Sequence, residues 1–271
     1  MTRHATARKA ASTAALLAAA GLALAGCKSS TSASGTASSP AAGGSSSASS
    51  SSSAGSGTSG SGGSGQTASS GGTTYFPVAA GNTWVYETTL SGTGHGTITN
   101  KMTSVTPVAD GQRVTMAISQ TAVGTGTPTY VTYIFHSDGS ISVPFTQVGS
   151  TTVKIKSGSI VWPSAAQLSS GQPQKSTIVF EASVAGHVTN AKADVTVQGH
   201  GSQNVTVPAG TYHAQLIDET ISEKFDGVAI GLTVETWVAN GVGPVKSDLL
   251  SKASTAGIPT TVEVLKSFTK G

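Results

Sequence analysis

Beyond residue 74, apolar side chains alternate with polar ones over several short stretches, a two-residue period typical of β-strands with one buried face. In residues 84–90, for example, Trp84, Tyr86 and Thr88 share one face. The same pattern marks 113–118, 178–180, 195–197, 212–216, 232–237 and 261–268, where Val262 and Val264 form the apolar face. In 130–136 both faces carry apolar residues, so we expect that strand to be covered on both sides. The pattern predicts an all-β domain.

Turn chemistry separates the predicted strands. Asp110-Gly111 and Asp138-Gly139 place an Asp-Gly pair between strands, which is a strong local signal for a hairpin. Pro208-Ala209-Gly210 presets a further turn, because Pro fixes φ and Gly allows positive φ. The one predicted helix is short and covers 164–169, with Pro163 in a first-turn position. The class is therefore all-β with a minor α part, in a single domain over 74–271.

The first 27 residues carry a different pattern. Residues 2–9 contain three cations and no acid, and 10–25 form a run of mostly Ala and Leu, as in a secretory signal peptide. This run is shorter than the roughly 20 residues that a membrane-spanning helix needs. It ends in Leu24-Ala25-Gly26-Cys27, which resembles the lipobox of bacterial lipoproteins. We expect a signal peptide over 1–26, cleavage at Leu24, Ala25 and Gly26, and lipidation of Cys27.

A lipidated Cys27 anchors the mature protein to the extracytoplasmic face of the bacterial cell membrane through palmitate-type acyl chains. From 28 to 73, every residue except Lys28, Pro40 and Gln66 is Ser, Gly, Ala or Thr. Such a segment has almost no apolar surface to bury, so residues 27–73 are predicted to be a lipidated cysteine and a disordered tether. Its average end-to-end distance is roughly 35–40 Å.

Charge and cysteine content exclude several functions. Four of the 15 Lys+Arg precede residue 74, which leaves 11 Lys+Arg against 12 Asp+Glu in the predicted domain. A nearly neutral domain lacks the basic surface of a nucleic-acid-binding protein, so no nucleic-acid partner is expected. One cysteine can form neither an internal disulfide nor a Cys-based zinc site.

Candidate catalytic and metal-binding residues are few. His187, His200 and His213 are spaced by thirteen residues, but there is no close His pair, and we interpret them as surface residues. Asp218 and Glu219 are neighbours on a predicted strand and face opposite sides, so they are interpreted as a solvated, charged hairpin end rather than a glycosidase pair. No Gly-x-Ser-x-Gly elbow precedes a helix. No catalytic residue, metal or cofactor is predicted.

Three sequence blocks resemble a known group of proteins. They are 75–77 with 81–86, then 205–212, and 235–246, which ends in Gly241-Val242-Gly243-Pro244-Val245-Lys246. Their order is similar to that of exported bacterial DUF3108-like proteins of unknown function, and more distantly to LolA/LolB-like lipoprotein carriers. The resemblance implies a curved antiparallel sheet, half-barrel or barrel-like. The carriers imply a lipid or other apolar ligand but identify no ligand residue here.

These observations favour a non-enzymatic, lipid-anchored cell-surface protein that binds a lipid or other apolar ligand in a curved sheet. Trp84, Tyr86, Tyr133, Phe135 and Trp237 would form the apolar pocket, or equally a filled core. The first alternative is a structural or interaction module that binds a cell-wall polymer or a protein partner. The second alternative is a hydrolase.

Overall fold

The computed structural model describes residues 75–90, 94–121, 128–148, 151–184, 187–225, 228–251 and 261–271. The strands are β1 (Thr83–Leu90), β2 (Gly94–Val108), β3 (Gly111–Gln120), β4 (Thr129–Phe135), β5 (Ile141–Val148), β6 (Thr151–Ser157), β7 (Ile160–Trp162), β8 (Gln174–Val184), β9 (His187–Val207), β10 (Gly210–Phe225), β11 (Val228–Ala239), β12 (Gly243–Ser251) and β13 (Thr261–Thr269). One short helix, α1 (Ala165–Ser169), follows β7. None of the described helical residues forms a segment with the length and hydropathy that crossing a membrane requires.

The strands form one curved antiparallel sheet in the order β4-β3-β2-β1-β13-β12-β11-β10-β9-β8-β6-β5-β7. β4 also pairs with β5, so β5 divides its length among three neighbours and the sheet is not a regular closed barrel. Pairing of β1 with β13 joins the first and last strands of the domain. The prediction of an all-β domain with a curved antiparallel sheet and a minor helical part is confirmed.

Five strands (β2, β5, β6, β7 and β12) are not predicted by the alternation of apolar residues. In β2 the buried side chains include Asn100 between Ile98 and Met102, and in β12 they include Ser247. A polar residue at an inward position breaks the apolar period on which the prediction depends. Strands β2 and β12 form nonetheless, because each is paired with a neighbour on both sides.

β4 buries one face rather than two. Val131 and Tyr133 are buried, whereas Tyr130 on the other face is 58% exposed. The expectation that this strand is covered on both sides was therefore wrong at Tyr130.

β13 buries the face opposite to the predicted one. Val262 is 39% exposed, while Glu263 and Leu265 are buried. A shift in the β1–β13 register skips one residue of β13, so that Leu265 and Phe268 both lie on the inner face. Phe268 stacks on Trp84 with ring centroids 5.0 Å apart. Burial of these two apolar side chains sets the phase that turns Glu263 inward.

One end of the sheet interior is filled by an aromatic plug, which we define as Phe76, Trp84, Phe135 and Trp162. The Phe76 ring centroid lies 5.9 Å from that of Phe135, 5.9 Å from that of Trp162 and 6.5 Å from that of Trp84. The Trp84 indole N–H donates a hydrogen bond of 2.6 Å to the carbonyl oxygen of Val242, in the β11–β12 turn. Through Phe76, the plug therefore packs the segment before β1 against β1, β4 and β7.

The predicted helix is present as α1. Ser164 is the N-cap, and its side chain and that of Gln167 form a reciprocal capping box. Pro163 precedes the cap instead of lying in the first turn.

The Asp110-Gly111 turn also forms, and Gly111 has φ 119°. A Cβ there would collide with the carbonyl oxygen of Phe135, so the close approach of the β4 end requires glycine.

Two tyrosines of β4 provide a test of the inner face. Tyr133 is 4% exposed and Tyr130 is 58% exposed. We expect Tyr133→Ala to lower the free energy of unfolding by about 3–5 kcal/mol, because it leaves a large cavity. The matched change Tyr130→Ala is expected to stay within about 0.5 kcal/mol. Urea unfolding followed by tryptophan fluorescence measures both, and equal losses would contradict the assigned faces.

Candidate functional site

A row of polar side chains crosses the inner face of the sheet. Thr88 of β1 pairs in register with Glu263 of β13, Glu263 with Ser247 of β12, and Ser247 with Thr236 of β11. Directly paired residues of neighbouring antiparallel strands share a face, so the four side chains are neighbours. All four are buried. We call Thr88, Glu263, Ser247 and Thr236 the polar row.

Half of the polar row lacks hydrogen-bond partners. The Ser247 hydroxyl donates to Oγ1 of Thr236 at 3.4 Å. Thr88 Oγ1 and Glu263 Oε1 are buried and have no partner in the described part of the chain. Buried polar atoms are nearly always paired, since an unmade hydrogen bond costs about 1–3 kcal/mol. These two atoms therefore leave hydrogen-bonding capacity unused in the described interior.

Burial governs the charge of Glu263. Removal from water disfavours the carboxylate and raises the pKa of Glu263 to about 8. No Lys, Arg or His is among the buried residues of the described chain, so no buried cation offsets this effect. At neutral pH the carboxyl group is mostly protonated, and it can both donate and accept hydrogen bonds.

Tyr86 lies next to the polar row on β1. Burial, and secondarily the nearby Glu263, raise the pKa of Tyr86 well above its ordinary value. Its hydroxyl donates a hydrogen bond of 3.0 Å to the carbonyl oxygen of Pro244. Tyr86 thus remains neutral and presents an aromatic surface beside Glu263.

Asn100 is a second buried polar residue on the inner face. Asn100 pairs with Trp84 across the β1–β2 ladder. Along β1, Trp84 lies two inward positions before Thr88 of the polar row. Both the nitrogen and the oxygen of its side-chain amide lack a partner within the described chain. The interior therefore offers hydrogen-bonding groups along its length, surrounded by apolar and aromatic side chains.

Glu219 corrects the interpretation of Asp218 and Glu219 as a solvated pair. Asp218 is partly exposed, and its carboxylate lies 3.0 Å from Nε2 of His200. Glu219 is 2% exposed, between Val197 and Val234 of the neighbouring strands. Burial raises the pKa of Glu219 to about 8, and the neighbouring Trp162 indole partly opposes that shift. Glu219 lies three strands from Glu263 and is not part of the polar row.

The predicted pocket residues occupy different places. Trp84, Tyr86 and Tyr133 are buried on the inner face, and Phe135 is partly buried against the same core. Trp237 is on the opposite face from Thr236, and the Lys246 ammonium lies 4.2 Å from its ring centroid. All five therefore pack in or against the one buried core, which Trp237, 7% exposed, joins from the side of β11 opposite to Thr236. The predicted lipidation site Cys27 and the cleavage residues Leu24, Ala25 and Gly26 lie outside the described residues.

The side chains of His200 and His213 do not converge on a common site, and the side chain of His187 lies outside the described part of the chain. His200 lies beside Asp218, while Nδ1 of His213 lies 3.3 Å from the side-chain oxygen of Asn204. Among the described residues, no three or more His, Cys, Asp or Glu side chains are arranged to hold a metal ion.

Asp110, His136 and Ser142 form a hydrogen-bonded chain that the sequence analysis missed. Nδ1 of His136 lies 2.9 Å from the Asp110 carboxylate, and Nε2 lies 2.8 Å from the Ser142 hydroxyl. This is the order of a hydrolase triad. The sequence gives little indication of this hydrogen-bonded chain, because Ser and Asp are common in turns for structural reasons.

The turn around this chain does not supply an oxyanion site. Its Gly139 N–H donates to the carbonyl of His136, and its Ser140 N–H donates to Asp138. Asp110 is 67% exposed on its side chain, and hydrogen bonds from Ser137 and His136 lower its pKa. The arrangement connects the β2–β3 turn to the β4–β5 turn, and we assign it a structural role.

The polar row could have been suspected from one signal. Glu263 interrupts an apolar stretch between Val262 and Val264. The pattern placed the two valines inside, and only the β1–β13 register reverses that choice. Thr88 was recognised as sharing a face with Trp84 and Tyr86, but a threonine in a strand is too common to mark a site.

Comparison with known proteins identifies the family. The DUF3108-like family model matches residues 80–255. The chain belongs to the DUF3108-like family. None of the curated proteins matches this DUF3108-like chain. The predicted resemblance to this family is thus confirmed, while the more distant one to LolA/LolB-like carriers stays a prediction.

Two solved structures share the fold of this DUF3108-like protein. One, from Bacteroides fragilis, is described as an exported protein with a YmcC-like fold; it has a TM-score of 0.53 and 15% identity, covering 73% of this chain and 100% of its own. The other, from Parabacteroides distasonis, is described as a lipoprotein; it has a TM-score of 0.54 and 15% identity, covering 73% of this chain and 99% of its own. At this identity the likeness establishes the fold.

The two buried carboxyl groups predict how stability depends on pH. Each binds a proton more tightly in the folded state, with a pKa of about 8, than in the unfolded state, where the ordinary pKa of 4.5 applies. Folding therefore takes up protons, and the free energy of unfolding should fall as pH rises through this interval. Glu263→Gln should reduce that slope by on the order of 1 kcal/mol per pH unit.

Urea unfolding at about pH 5, 6.5 and 8 measures this slope. Glu235→Gln is the matched control, because Glu235 faces the other side of β11. It is expected to leave the slope unchanged. An equal slope in wild type and Glu263→Gln would show that Glu263 ionises normally in the folded protein.

Proposed function

We propose that this DUF3108-like protein is a lipid-anchored, extracytoplasmic binding protein that takes an amphipathic ligand into the interior of its curved sheet. The observation that carries the proposal is the pair of unpartnered, buried polar atoms in the polar row, Thr88 Oγ1 and Glu263 Oε1. They lie among apolar and aromatic side chains of the inner face. A ligand with an apolar body and a hydrogen-bonding group would complement both.

The distribution of side chains supports an amphipathic ligand over a pure hydrocarbon. A hydrocarbon would leave Thr88, Glu263 and Asn100 without partners, at a cost for each buried group. An apolar pocket with a few converging polar groups is the usual form of a small-molecule site. The proposal therefore refines the expected apolar ligand by adding a polar end.

The position of the polar row supports entry from one end of the sheet. The aromatic plug fills the end where β1 begins, near the β11–β12 turn. Thr88 and Glu263 lie towards the opposite end, two residues from the end of β1 and the start of β13. A ligand entering from that end would meet the polar row before the plug.

A non-enzymatic role fits the described geometry better than hydrolysis. The buried carboxyl groups Glu219 and Glu263 lie three strands apart and do not form a close pair. The Asp110–His136–Ser142 chain connects two turns, whose Gly139 and Ser140 N–H groups are already engaged. Neither arrangement offers the converging groups of a catalytic centre.

The extracytoplasmic location is proposed from the sequence and supported by the fold relatives. The leader over 1–26 and Cys27 have the form of a lipoprotein signal. The two solved structures that share the fold are described as an exported protein and a lipoprotein. The segment 28–73 would hold the binding domain some tens of ångströms from the membrane.

Native mass spectrometry tests the ligand proposal. The unlipidated mature chain, defined as residues 27–271 with Cys27→Ser, is mixed with a bacterial lipid extract and examined for a stoichiometric, extractable adduct. We expect an adduct whose occupancy falls about fivefold in Thr88→Val, which removes one hydrogen bond without changing side-chain volume. The neighbouring change Thr89→Val, on the exposed face of β1, should have no effect.

If the wild-type protein keeps its unliganded mass in the presence of the lipid extract, the binding proposal is overturned. The same result would favour the interaction module with a filled core. Equal occupancy in Thr88→Val and Thr89→Val would place the ligand outside the polar row.

Lipidation is tested separately in cells. A clickable palmitate analogue should label the wild-type protein, and Cys27→Ala should abolish the label and release the protein from the membrane fraction, because no other thiol is present. Ser29→Ala is the control and should retain both the label and the membrane association. Unchanged fractionation and labelling of Cys27→Ala would refute the anchor.

A further inference from the structure

The inner face holds buried acid without buried base. Glu219 and Glu263 are buried, whereas no Lys, Arg or His is among the buried residues of the described chain. The cations nearest to β13 in register are engaged on the outside: Lys246 contacts the Asp248 carboxylate at 2.8 Å, and Lys266 contacts that of Glu87 at 3.2 Å. Among the described residues the interior therefore carries negative charge without a buried countercharge, which a cationic ligand would supply.

We propose that the polar row receives the cationic group of the amphipathic ligand, a protonated amine in the simplest case, with the Glu263 carboxylate as its countercharge. This inference rests on the proposed function and specifies the chemical class of the ligand. The Glu263 side chain, which is 3% exposed and has an unpartnered Oε1, is the acceptor at the centre of the site.

The neighbours of Glu263 suit an ammonium group. Thr88 Oγ1 on one side lacks a partner and can accept an N–H. Ser247 flanks Glu263 on β12. Its hydroxyl donates a hydrogen bond to Oγ1 of Thr236, which leaves the lone pairs of the Ser247 oxygen available to accept one. An ammonium has three donors, and a carboxylate with two flanking hydroxyl oxygens matches them in number. Charge-assisted hydrogen bonds of this kind are about twice as strong as neutral ones.

Tyr86 adds a second attraction. Its ring lies on the inner face next to the polar row, close enough to Glu263 that the carboxylate contributes, after burial, to the raised pKa of Tyr86. The face of an aromatic ring attracts a cation, and more so when water is excluded. On the inner face, the titratable side chain of β1 next to Glu263 is that of Tyr86. On β12, the residue paired with Glu263 is Ser247, which does not titrate.

The same arrangement disfavours an anionic ligand. A carboxylate or phosphate brought into the interior would meet two buried acids and no buried cation in the described chain. Burial of an unpaired charge is costly, so the anion would bind less well than an uncharged molecule of the same shape. The expected order of affinity is cation, then neutral molecule, then anion.

Binding of the cation also moves a proton. Glu263 is mostly protonated at neutral pH in the unliganded protein, since burial raises its pKa to about 8. When the ammonium enters, the carboxyl proton passes to solvent and the ion pair forms. Because one proton is released, affinity for the amine should rise with pH by up to about tenfold per unit below pH 8. An alkylamine stays protonated throughout, as lysine does.

Three ligands that share one alkyl chain test the inference: decylamine, decan-1-ol and decanoate. Isothermal titration calorimetry with the unlipidated mature chain measures their affinities at about pH 6, 7 and 8. We expect decylamine to bind about ten- to hundredfold more tightly than decan-1-ol at pH 7, and decanoate to bind most weakly. Only the decylamine affinity should rise with pH.

Two matched variants locate the countercharge. Glu263→Gln keeps the shape of the side chain but cannot ionise, so decylamine should lose its advantage, bind no more tightly than decan-1-ol, and show no pH dependence. Glu219→Gln removes the other buried carboxyl, three strands away, and should retain the preference for the amine. Circular dichroism reports whether each variant is folded, and the wild-type ligand series decides the question if either is not.

The outcomes separate the two proposals. If none of the three ligands binds, the proposed function fails together with this inference. If decan-1-ol binds as tightly as decylamine to the wild type, the binding function stands and the cation preference is refuted. If the preference survives in Glu263→Gln and is lost in Glu219→Gln, the assignment of the countercharge to Glu263 is overturned.

Discussion

The pairing of β1 with β13 decides what the interior of this protein contains. A strand presents alternate side chains to its two faces, so a shift of one residue exchanges the whole set. Here the register buries Leu265 and stacks Phe268 on Trp84, with one residue of β13 skipped between them. Glu263 is in phase with Leu265 and is carried inward. The desolvation of one carboxyl group is the cost of placing two apolar side chains in the core.

The rest of the described interior does not satisfy all the hydrogen-bonding capacity of the buried Glu263 side chain. Thr88, Ser247 and Thr236 extend a line of hydroxyl groups across neighbouring strands, and Ser247 and Thr236 satisfy each other. Glu263 and Thr88 are left with unpartnered oxygens. The aromatic plug closes one end of the interior without contributing a charge. The interior is thus mostly apolar, with hydrogen-bonding capacity unused near its other end, and this division is the basis of the amphipathic ligand that we propose.

Long-range pairing also explains which parts of the fold were predictable. The strand segments 84–88, 113–118 and 232–236 bury residues with a clean two-residue period, and their prediction needed no tertiary information. The strands β2 and β12 bury Asn100 and Ser247, so their periods are broken and neither was predicted. Two inward polar residues of the interior, Asn100 and Ser247, thus also conceal the strands that carry them.

The sequence by itself determined the class and the local structure. Alternating apolar residues specify an all-β domain, Asp-Gly pairs specify turns, and Ser164 with Gln167 specifies the cap of the one short helix, because all of these depend on residues close together in the chain. The three quoted blocks also sufficed for the family. Only the tertiary structure decided that Glu219 and Glu263 are buried and that Val262 is exposed. These choices depend on the register between strands such as β1 and β13, which lie far apart in the sequence, and on the apolar area that each register buries.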